Sequence, residues 1–405
     1  MRTRLAATAV SVTVCATAAA QAGGIDRYGQ NVDILFKDGN YAEVSYNSTT
    51  PSVTGYDLPQ SPPGFPVTLD TGAKYSNVAH DFGTVGFGFK YDVNDSLALA
   101  LIGGEDYGAD ILYGGDPAAS MLAGTKAEAN NYALSLIAKY VANENFSVYG
   151  GARADRANGT IALNGLAYGG PTLLNPATFQ PVRLGASGYR VKFDDDVGYG
   201  YLIGAAYERP DIALRLNVTY YSKITHEFGT TETLPFAFAG VPNSAFSTTS
   251  ASSDTNVDAP QAINVNFQTG IAPNTLAFAG MRWVEWSQFK IKPEQLGRDL
   301  VELDDSTTWT LGVAYRFNPS FAASAAVLYE DGGSDDLVSP LAPTNGFTAL
   351  ALGASYRWEK IELSGGIRYA WLAEAVPETG TPDVARAKFA DNDAVSVGVK
   401  LGFYF

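Results

Sequence analysis

The chain ends in Val395-Ser396-Val397-Gly398-Val399-Lys400-Leu401-Gly402-Phe403-Tyr404-Phe405. Valine, leucine and phenylalanine occupy every second position, and serine, glycine, lysine and tyrosine stand between them. Because successive side chains of a β-strand point to opposite faces, this alternation predicts a strand with one apolar and one small or polar face. The apolar face packs on a core in a soluble sandwich and meets lipid in a membrane barrel, so one strand leaves both architectures open.

Repetition of this pattern decides between them. Four more stretches alternate in the same way, and they begin at Leu214, Trp309, Leu350 and Ile361. Their aromatic residues gather at the ends, as in the interfacial girdles of a membrane barrel, and their lengths suit the roughly 9 to 11 residues of a tilted spanning strand. The sequence therefore predicts an all-β transmembrane antiparallel β-barrel.

The connections between the strands alternate between short and long. Short links are expected at 93–96, 143–145, 210–211, 318–320 and 359–360, and long polar loops at 54–77, 165–188, 230–258, 292–305, 331–346 and 377–391. Short periplasmic turns and long exterior loops are typical of an outer-membrane barrel, and counting strands between them gives about 14, an even number.

The N-terminus predicts export. Arg2 and Arg4 precede a short apolar run that ends at Ala20-Gln21-Ala22, which is the pattern of a cleaved signal peptide over residues 1–22. Residues 23–40 then form a short luminal segment, plug-like or disordered, and residues 41–405 form the barrel. The only cysteine, Cys15, lies inside the signal, so no disulfide or thiol site is expected. The predicted location is the bacterial outer membrane.

The charge and the rare residues exclude several functions. The formal net charge is −15, which argues against a nucleic-acid partner. Only two histidines, His80 and His226, are present, and no motif joins either to a nucleophile or a metal set, so neither an enzyme nor a cofactor is predicted. Three acidic clusters are interpreted as solvated exterior charge rather than metal sites: Asp194-Asp195-Asp196, Asp304-Asp305 and Asp335-Asp336.

Charged residues on the polar faces of the strands are expected to line the lumen, where they stay hydrated. These are Arg153, Arg215, Arg316, Arg357, Arg368, Lys90, Lys139 and Lys400, with Glu362 and Asp155 as available partners. A salt-bridged filling explains most of them, and one or two unpaired cations would be able to hold a substrate carboxylate.

One stretch, residues 275–291, breaks the alternation and is the candidate binding site. Its large apolar residues occupy both faces, so some must point inward. Packing against the N-terminal segment is one explanation, and an apolar pocket for a hydrophobic ligand is the other. The candidate substrate-binding residues are Arg282, Trp283, Trp286, Phe289 and Lys290, with the two cations beside a carboxylate.

Three stretches of the chain resemble the FadL family of outer-membrane transporters of long-chain fatty acids and related hydrophobic compounds. Residues 39–46, Gly-Asn-Tyr-Ala-Glu-Val-Ser-Tyr, followed by Pro-Ser-Val-Thr-Gly at 51–55, are similar to the family's first strand. Residues 281–291, Met-Arg-Trp-Val-Glu-Trp-Ser-Gln-Phe-Lys-Ile, resemble its tryptophan-rich strand. Residues 315–320, Tyr-Arg-Phe-Asn-Pro-Ser, and the final Phe405 also match, whereas residues 23–40 lack the family's longer plug and its Asn-Pro-Ala motif.

The resemblance implies passive uptake of long-chain fatty acids or related hydrophobic compounds, with outer-membrane lipid as the second partner and a lateral gap at a kinked strand. Gly103 and Gly104 follow the strand that starts at Leu97, and paired glycines mark a bulge, a bend or the end of a strand. They are therefore the candidate lateral-gate kink. A general porin for small polar solutes and a structural or adhesive barrel stay open as alternatives.

Overall fold

The computed structural model describes residues 25–27, 30–61, 69–174, 181–235, 249–333, 336–380 and 383–405. The predicted signal peptide and Asp335 lie outside them. The wall is a closed antiparallel barrel of 14 strands, as predicted, because β1 pairs with both β2 and β14. Closure removes the open edges that would leave backbone groups unpaired in lipid.

The 14 strands of the wall follow one another in chain order. They are β1 Tyr41–Ser52, β2 Phe82–Asn94, β3 in two segments Leu97–Gly104 and Gly108–Leu112, β4 Lys126–Val141, β5 Phe146–Leu163, β6 Tyr189–Arg209, β7 in two segments Leu214–Tyr221 and Ile224–Leu234, β8 in two segments Thr249–Ala259 and Ala262–Ala272, β9 Thr275–Val284, β10 Ser306–Arg316, β11 Phe321–Glu330, β12 Phe347–Trp358, β13 Ile361–Leu372 and β14 Asn392–Tyr404.

The alternation read from the sequence sets the two faces of the wall. Outward residues are apolar and exposed, for example Leu311 at 68% and Leu352 at 60%, because this face meets lipid. Exposed aromatic side chains mark both ends of the apolar belt. One group comprises Phe146, Phe317, Trp358 and Phe405, and the other comprises Tyr199, Trp309, Tyr329 and Trp371.

Three of the short turns are built in the same way by an asparagine. The side-chain oxygens of Asn94, Asn143 and Asn318 each accept hydrogen bonds from the backbone N–H groups two and three residues later, at 2.9–3.0 Å. An asparagine that bonds its own backbone in this way stabilises a tight turn. These residues thereby set the register of the strand pairs on the turn side of the barrel.

The wall has two unlike halves. In the regular half, β10–β14, β1 and β2, each strand pairs with the next in one continuous register. In the interrupted half, β3–β9, three strands are broken and β6 changes register between Phe193 and Asp196. β9 also ends early, at Val284.

Shorter elements lie in the connections. The described short strands are Gly55–Asp57, Lys74–Tyr75, Gly169–Leu174, Pro181–Gly185, Leu337–Val338, Val376–Thr379, Val384–Ala385 and Ala387–Phe389, and the 3-10 helices are Asp33–Phe36, Leu166–Tyr168, Pro210–Ile212 and Trp286–Gln288. Within the described residues, no helix has the length and apolar character needed to cross a membrane.

Candidate functional site

Part of the N-terminal segment lies inside the barrel and is tied to its wall. The 3-10 helix Asp33–Phe36 buries Ile34 and Leu35. Beside it, Lys37 Nζ lies 2.9 Å from a carboxylate oxygen of Glu362. Lys90 donates to the carbonyl oxygen of Lys37 at 2.9 Å. Two of the predicted luminal charges, Lys90 and Glu362, therefore hold this segment.

A second set of buried contacts holds the start of the described segment. Arg282 Nε donates to Asp26 at 2.6 Å, and Arg282 Nη1 donates to Asn264 at 2.9 Å. Arg153 pairs with Asp106 nearby, and all four charged side chains are buried. Because a buried charge without a partner is costly, each member of these ion pairs depends on the presence of its own partner.

The break in β3 lies just beyond the glycines that were expected to form it. Gly103 pairs with residues of both neighbouring strands, and Gly104 pairs with Ala133. Pairing stops at residues 105–107 and resumes at Gly108 on the β4 side, and on the other side residues 110–112 bond to residues 78–80, just before β2. Both glycines therefore belong to the ladder, and the interruption begins at Glu105, directly after them. The role of Gly103 and Gly104 in a lateral gate stays a prediction.

The N-terminal segment fills this break. Arg27 N–H donates to the carbonyl oxygen of Asp106, and Gly108 N–H donates to that of Ile25, both at 2.8 Å. The Arg27 guanidinium lies 4.3 Å from the Phe82 ring centre and 3.7 Å from a carboxylate oxygen of Glu105. A piece of backbone and one arginine thus replace the missing ladder.

An apolar cavity of about 130 Å³ lies next to the break, between β4–β8 and the chain that follows β9. Its apolar wall comprises Ile25, Tyr107, Ala109, Ala127, Ala129, Ala157, Ile161, Phe193, Phe228, Val257, Ala259, Pro260, Trp286, Phe289, Ile291, Val301 and Leu341, and its polar residues are Glu128, Asn130, Asn131, Asn158, Thr160 and His226. A concave, mostly apolar space with a few polar groups is the usual form of a small-molecule site.

The structure separates the five predicted binding residues. Trp286 and Phe289 line the cavity, whereas Arg282, Trp283 and Lys290 do not. Arg282 is engaged by Asp26, Trp283 alternates with it and so takes the outer face, and Lys290 lies half exposed, 3.4 Å from Asp299. The five residues are separated because β9 ends at Val284, whereas the sequence predicted a strand through residue 291. The 3-10 helix Trp286–Gln288 follows instead and turns inward.

A buried polar cluster borders the cavity and was not found from the sequence. His226 Nδ1 lies 3.1 Å from Asp196 Oδ2, and His226 Nε2 lies 3.7 Å from Asp155 Oδ1. The imidazole stacks on Phe228 with ring centres 5.2 Å apart. Asp196 is the last residue of the run Asp194-Asp195-Asp196, which was expected to be solvated. Asp195 follows that expectation and pairs with Arg156 at the surface, whereas Asp196 lies beside His226. A change of strand parity at the β6 bulge turns Asp196 inward.

A second acidic group lies in the loops, outside the wall. Carboxylate oxygens of Glu302, Glu378 and Asp383 all fall within 4.8 Å of one another. Burial raises the pKa of Glu378 to about 7, and the charges of Asp383 and Glu302 add to the shift. His80, the other histidine, lies at the surface 2.9 Å from Asp110.

Comparison with known proteins agrees with this architecture. A family model described as outer membrane protein transport protein (OMPP1/FadL/TodX) matches residues 40–403. A Pseudomonas aeruginosa FadL homologue superposes with a TM-score of 0.74 at 17% identity, covering 97% of this chain and 98% of its own. The Pseudomonas putida toluene transporter TodX gives 0.61 at 12%, covering 96% and 98%. The Ralstonia pickettii toluene transporter TbuX gives 0.59 at 14%, covering 92% and 90%. No curated protein sequence matches the chain.

Proposed function

The chain belongs to the OMPP1/FadL/TodX family of outer-membrane transport proteins, and we propose that within it this protein carries small, neutral hydrophobic molecules about the size of one aromatic ring. The protein is an outer-membrane channel for hydrophobic compounds and not an enzyme. The apolar cavity beside the β3 break is the observation that carries the finer proposal.

The size of the cavity favours a compact substrate. At about 130 Å³ it is close to the roughly 150 Å³ of an engineered apolar cavity that stays dry and binds benzene. A single ring fills such a space, while a long acyl chain extends well beyond it. The rings of Trp286, Phe289 and Phe228 offer the edges and faces against which an aromatic molecule packs.

The charge of the cavity favours a neutral substrate over a fatty acid. Among the described lining residues there is no lysine or arginine, and Glu128 supplies a carboxylate. A substrate carboxylate buried there would lack a partner, which is unfavourable. Arg282, expected to be that partner, is already paired with Asp26. Two toluene transporters among the similar structures support the same substrate class.

The position of the cavity favours a sideways route through the wall. Tyr107, Gly108 and Ala109, which follow the break in β3, line the cavity directly. A hydrophobic molecule that leaves through the break reaches lipid without entering water, which keeps its apolar surface buried. In this proposal the side chain of Arg27 moves away from Phe82 and Glu105 to open the path.

Filling the cavity tests the proposed substrate class. Ala127→Leu adds bulk to the cavity wall, and Ala326→Leu makes the same change at a buried inward alanine of β11 that does not line the cavity. Uptake of radiolabelled toluene is measured in cells that lack their own transporters, with the amount of folded barrel matched by its heat-modifiable migration. We expect Ala127→Leu to lose most of the uptake, and Ala326→Leu to keep it.

Palmitate uptake by the same cells separates the two substrate classes. We expect the unaltered protein to raise toluene uptake well above cells without it, and to leave palmitate uptake near the background. Faster palmitate than toluene uptake would overturn the ring-sized proposal. Equal toluene uptake by both leucine variants would show that the cavity is not on the route.

A further inference from the structure

The wall contains a second interruption, between β6 and β7. The two strands pair at residues 190–193 with 230–233, and again at residues 202–209 with 214–221. Residues 194–200 of β6, all of them described, have no ladder partner in β7. β6 changes register at the start of this stretch and β7 is broken at its end, at residues 222–223. A β-bulge in β6 and a break in β7 thus bound an unpaired seam.

Side chains take the place of the missing ladder along the seam. Asp196 Oδ2 accepts a hydrogen bond from the backbone N–H of Glu227 at 3.2 Å, and it also lies 3.1 Å from His226 Nδ1. At the other end, Ser222 Oγ accepts from the backbone N–H of Tyr201 at 2.9 Å. Backbone groups in lipid need such partners, and a side chain is able to release its partner by changing rotamer.

The inner surface of the seam is covered by one isoleucine. Gly198 and Gly200 are the β6 residues there, and a Cβ added to either would approach side-chain atoms of Ile224 to 2.4 and 2.6 Å. Ile224 therefore lies flat over both glycines, where an ordinary strand would present side chains of its own. Ser222 Oγ follows at 2.8 Å from the added Cβ of Gly200, and Thr225 O and His226 Cε1 follow at 2.8 and 3.1 Å from that of Gly198.

The seam separates the cavity from the outside by a single layer of residues. Phe193, His226 and Phe228 border it and line the cavity, while Tyr199 stands outside at 76% exposure. It also lies at the height of the β3 break, because the ladder runs across the wall from Gly104 to Ala133, Asp155 and Gly198.

We propose that the seam between β6 and β7 is a second lateral portal for the hydrophobic molecules that occupy the cavity. It opens when Ile224 rotates off Gly198 and Gly200 and Asp196 releases Glu227. The cavity then has two sideways connections to the membrane, one at the β3 break and one at this seam. The proposal rests on the proposed transport of hydrophobic compounds and adds a route to it.

A reversible disulfide across the seam tests the portal. A Cβ at residue 200 would lie 2.8 Å from Ser222 Oγ, so Gly200→Cys with Ser222→Cys places two thiols within the reach of a disulfide. Ala206→Cys with Asn217→Cys is the matched control, since both residues face inward and it links the same two strands where their ladder is intact. Toluene uptake by whole cells is compared before and after a membrane-impermeant reductant, and thiol labelling reports closure.

We expect the oxidised seam variant to take up toluene more slowly than its reduced form, and the control to give the same rate in both states. Equal rates for the oxidised and reduced seam variant would overturn the portal. Absence of toluene uptake by the unaltered protein would instead overturn the proposed function, so the two failures are distinguishable.

A second variant keeps the test independent of disulfide assembly. Ile224→Ala removes the cover from the seam, and Ile203→Ala removes an exposed, lipid-facing side chain of β6 where the ladder is complete. We expect Ile224→Ala to speed toluene uptake relative to Ile203→Ala at matched barrel levels. Equal rates in these two variants would contradict the role of Ile224 as the cover.

Discussion

The regular and interrupted halves of the wall differ in what faces the lumen. Along β10–β14 most inward residues are small, for example Ala322, Ser324, Ala326, Ala349, Ala351, Ser364, Ala370, Ala394 and Ser396, and the larger ones include Leu328, Glu330, Phe347, Glu362 and Arg368. Along β3–β9 they include aromatic and charged side chains that meet the N-terminal segment, and the cavity lies there. The proposed transport route therefore lies in the interrupted half, and the regular half closes the wall.

The physical basis of this division is the treatment of backbone hydrogen bonds. Every backbone group in lipid requires a partner, and a continuous ladder provides one only while the strands stay together. At the interruptions the partners are side chains, such as Asp196 and Ser222, or the backbone of residues 25–27. Exchanging these partners does not require whole strands to separate, which is why both proposed lateral routes lie in the interrupted half.

The largest expected effect comes from breaking the buried pair that anchors the N-terminal segment in the interrupted half. Arg282→Met leaves Asp26 buried without its cation, which costs about 3–5 kcal/mol. We expect the segment to leave its site, and a steady ion current to appear in planar bilayers because the lumen is no longer filled. Such a current would give the barrel the behaviour of a porin, an alternative that the sequence left open.

A matched control for this variant is an exposed pair of the same half. Lys192→Gln breaks the contact between Lys192 and Asp194, which are 2.7 Å apart and solvated, so the contact contributes little to stability. Its conductance should equal that of the unaltered protein. If Arg282→Met also stays closed, the N-terminal segment is not what occludes the lumen.

The contrast between the regular and interrupted halves also explains which strands the sequence predicts correctly. The alternation from Leu350 to Trp358 predicts β12 correctly, because where pairing is continuous the period of two survives from end to end. In the stretch after Thr275 the period fails, since β9 stops at Val284 and the chain turns into the lumen. The sequence therefore offers both Trp283 and Trp286 as candidate binding residues, yet of these two only Trp286 lines the cavity.

Other residues of the site carry no signal in the sequence. Asp26 lies in a short segment without periodicity, and its partner Arg282 is distant in the chain, so their pairing depends on the closed barrel. Tyr107 follows the glycines that drew attention to β3, but its place in the cavity comes from the missing ladder after Gly104. Tertiary contacts, rather than local pattern, build this part of the molecule.

A charge on the lipid face tests whether the regular half is the scaffold, with a smaller expected effect. Leu311→Arg places a cation on the outer face of β10, where such a residue costs about 2–4 kcal/mol near the bilayer centre. Val93→Arg, at the end of β2 beside a short turn, should cost only about 0–1 kcal/mol. Urea unfolding of both variants in lipid vesicles gives the free energies. Equal losses would show that the apolar belt reaches the level of Val93.

The smallest expected effect lies outside the wall, in the short strand Val376–Thr379 between β13 and β14. Glu378 there has a pKa raised to about 7, chiefly by burial, with the charges of Asp383 and Glu302 adding to it. The folded loop therefore keeps a proton that the unfolded loop, with an ordinary glutamate, has already lost. Between roughly pH 4.5 and pH 7 the folded loop binds more protons, so its stability falls as the pH rises through that window.

Glu378→Gln stays neutral at every pH and should remove this dependence, leaving a loop that is equally protected at pH 5 and at pH 8. Hydrogen exchange of residues 376–385, corrected for the intrinsic rate at each pH, measures the protection, and Glu374→Gln in the same connection is the control. The change should be modest, because the Glu378 carboxyl is partly exposed and solvent screens it. It should also stay local, since the regular half beneath the loop is held by its own ladders. A pH response of Glu378→Gln equal to that of the unaltered protein would assign the titration to another group.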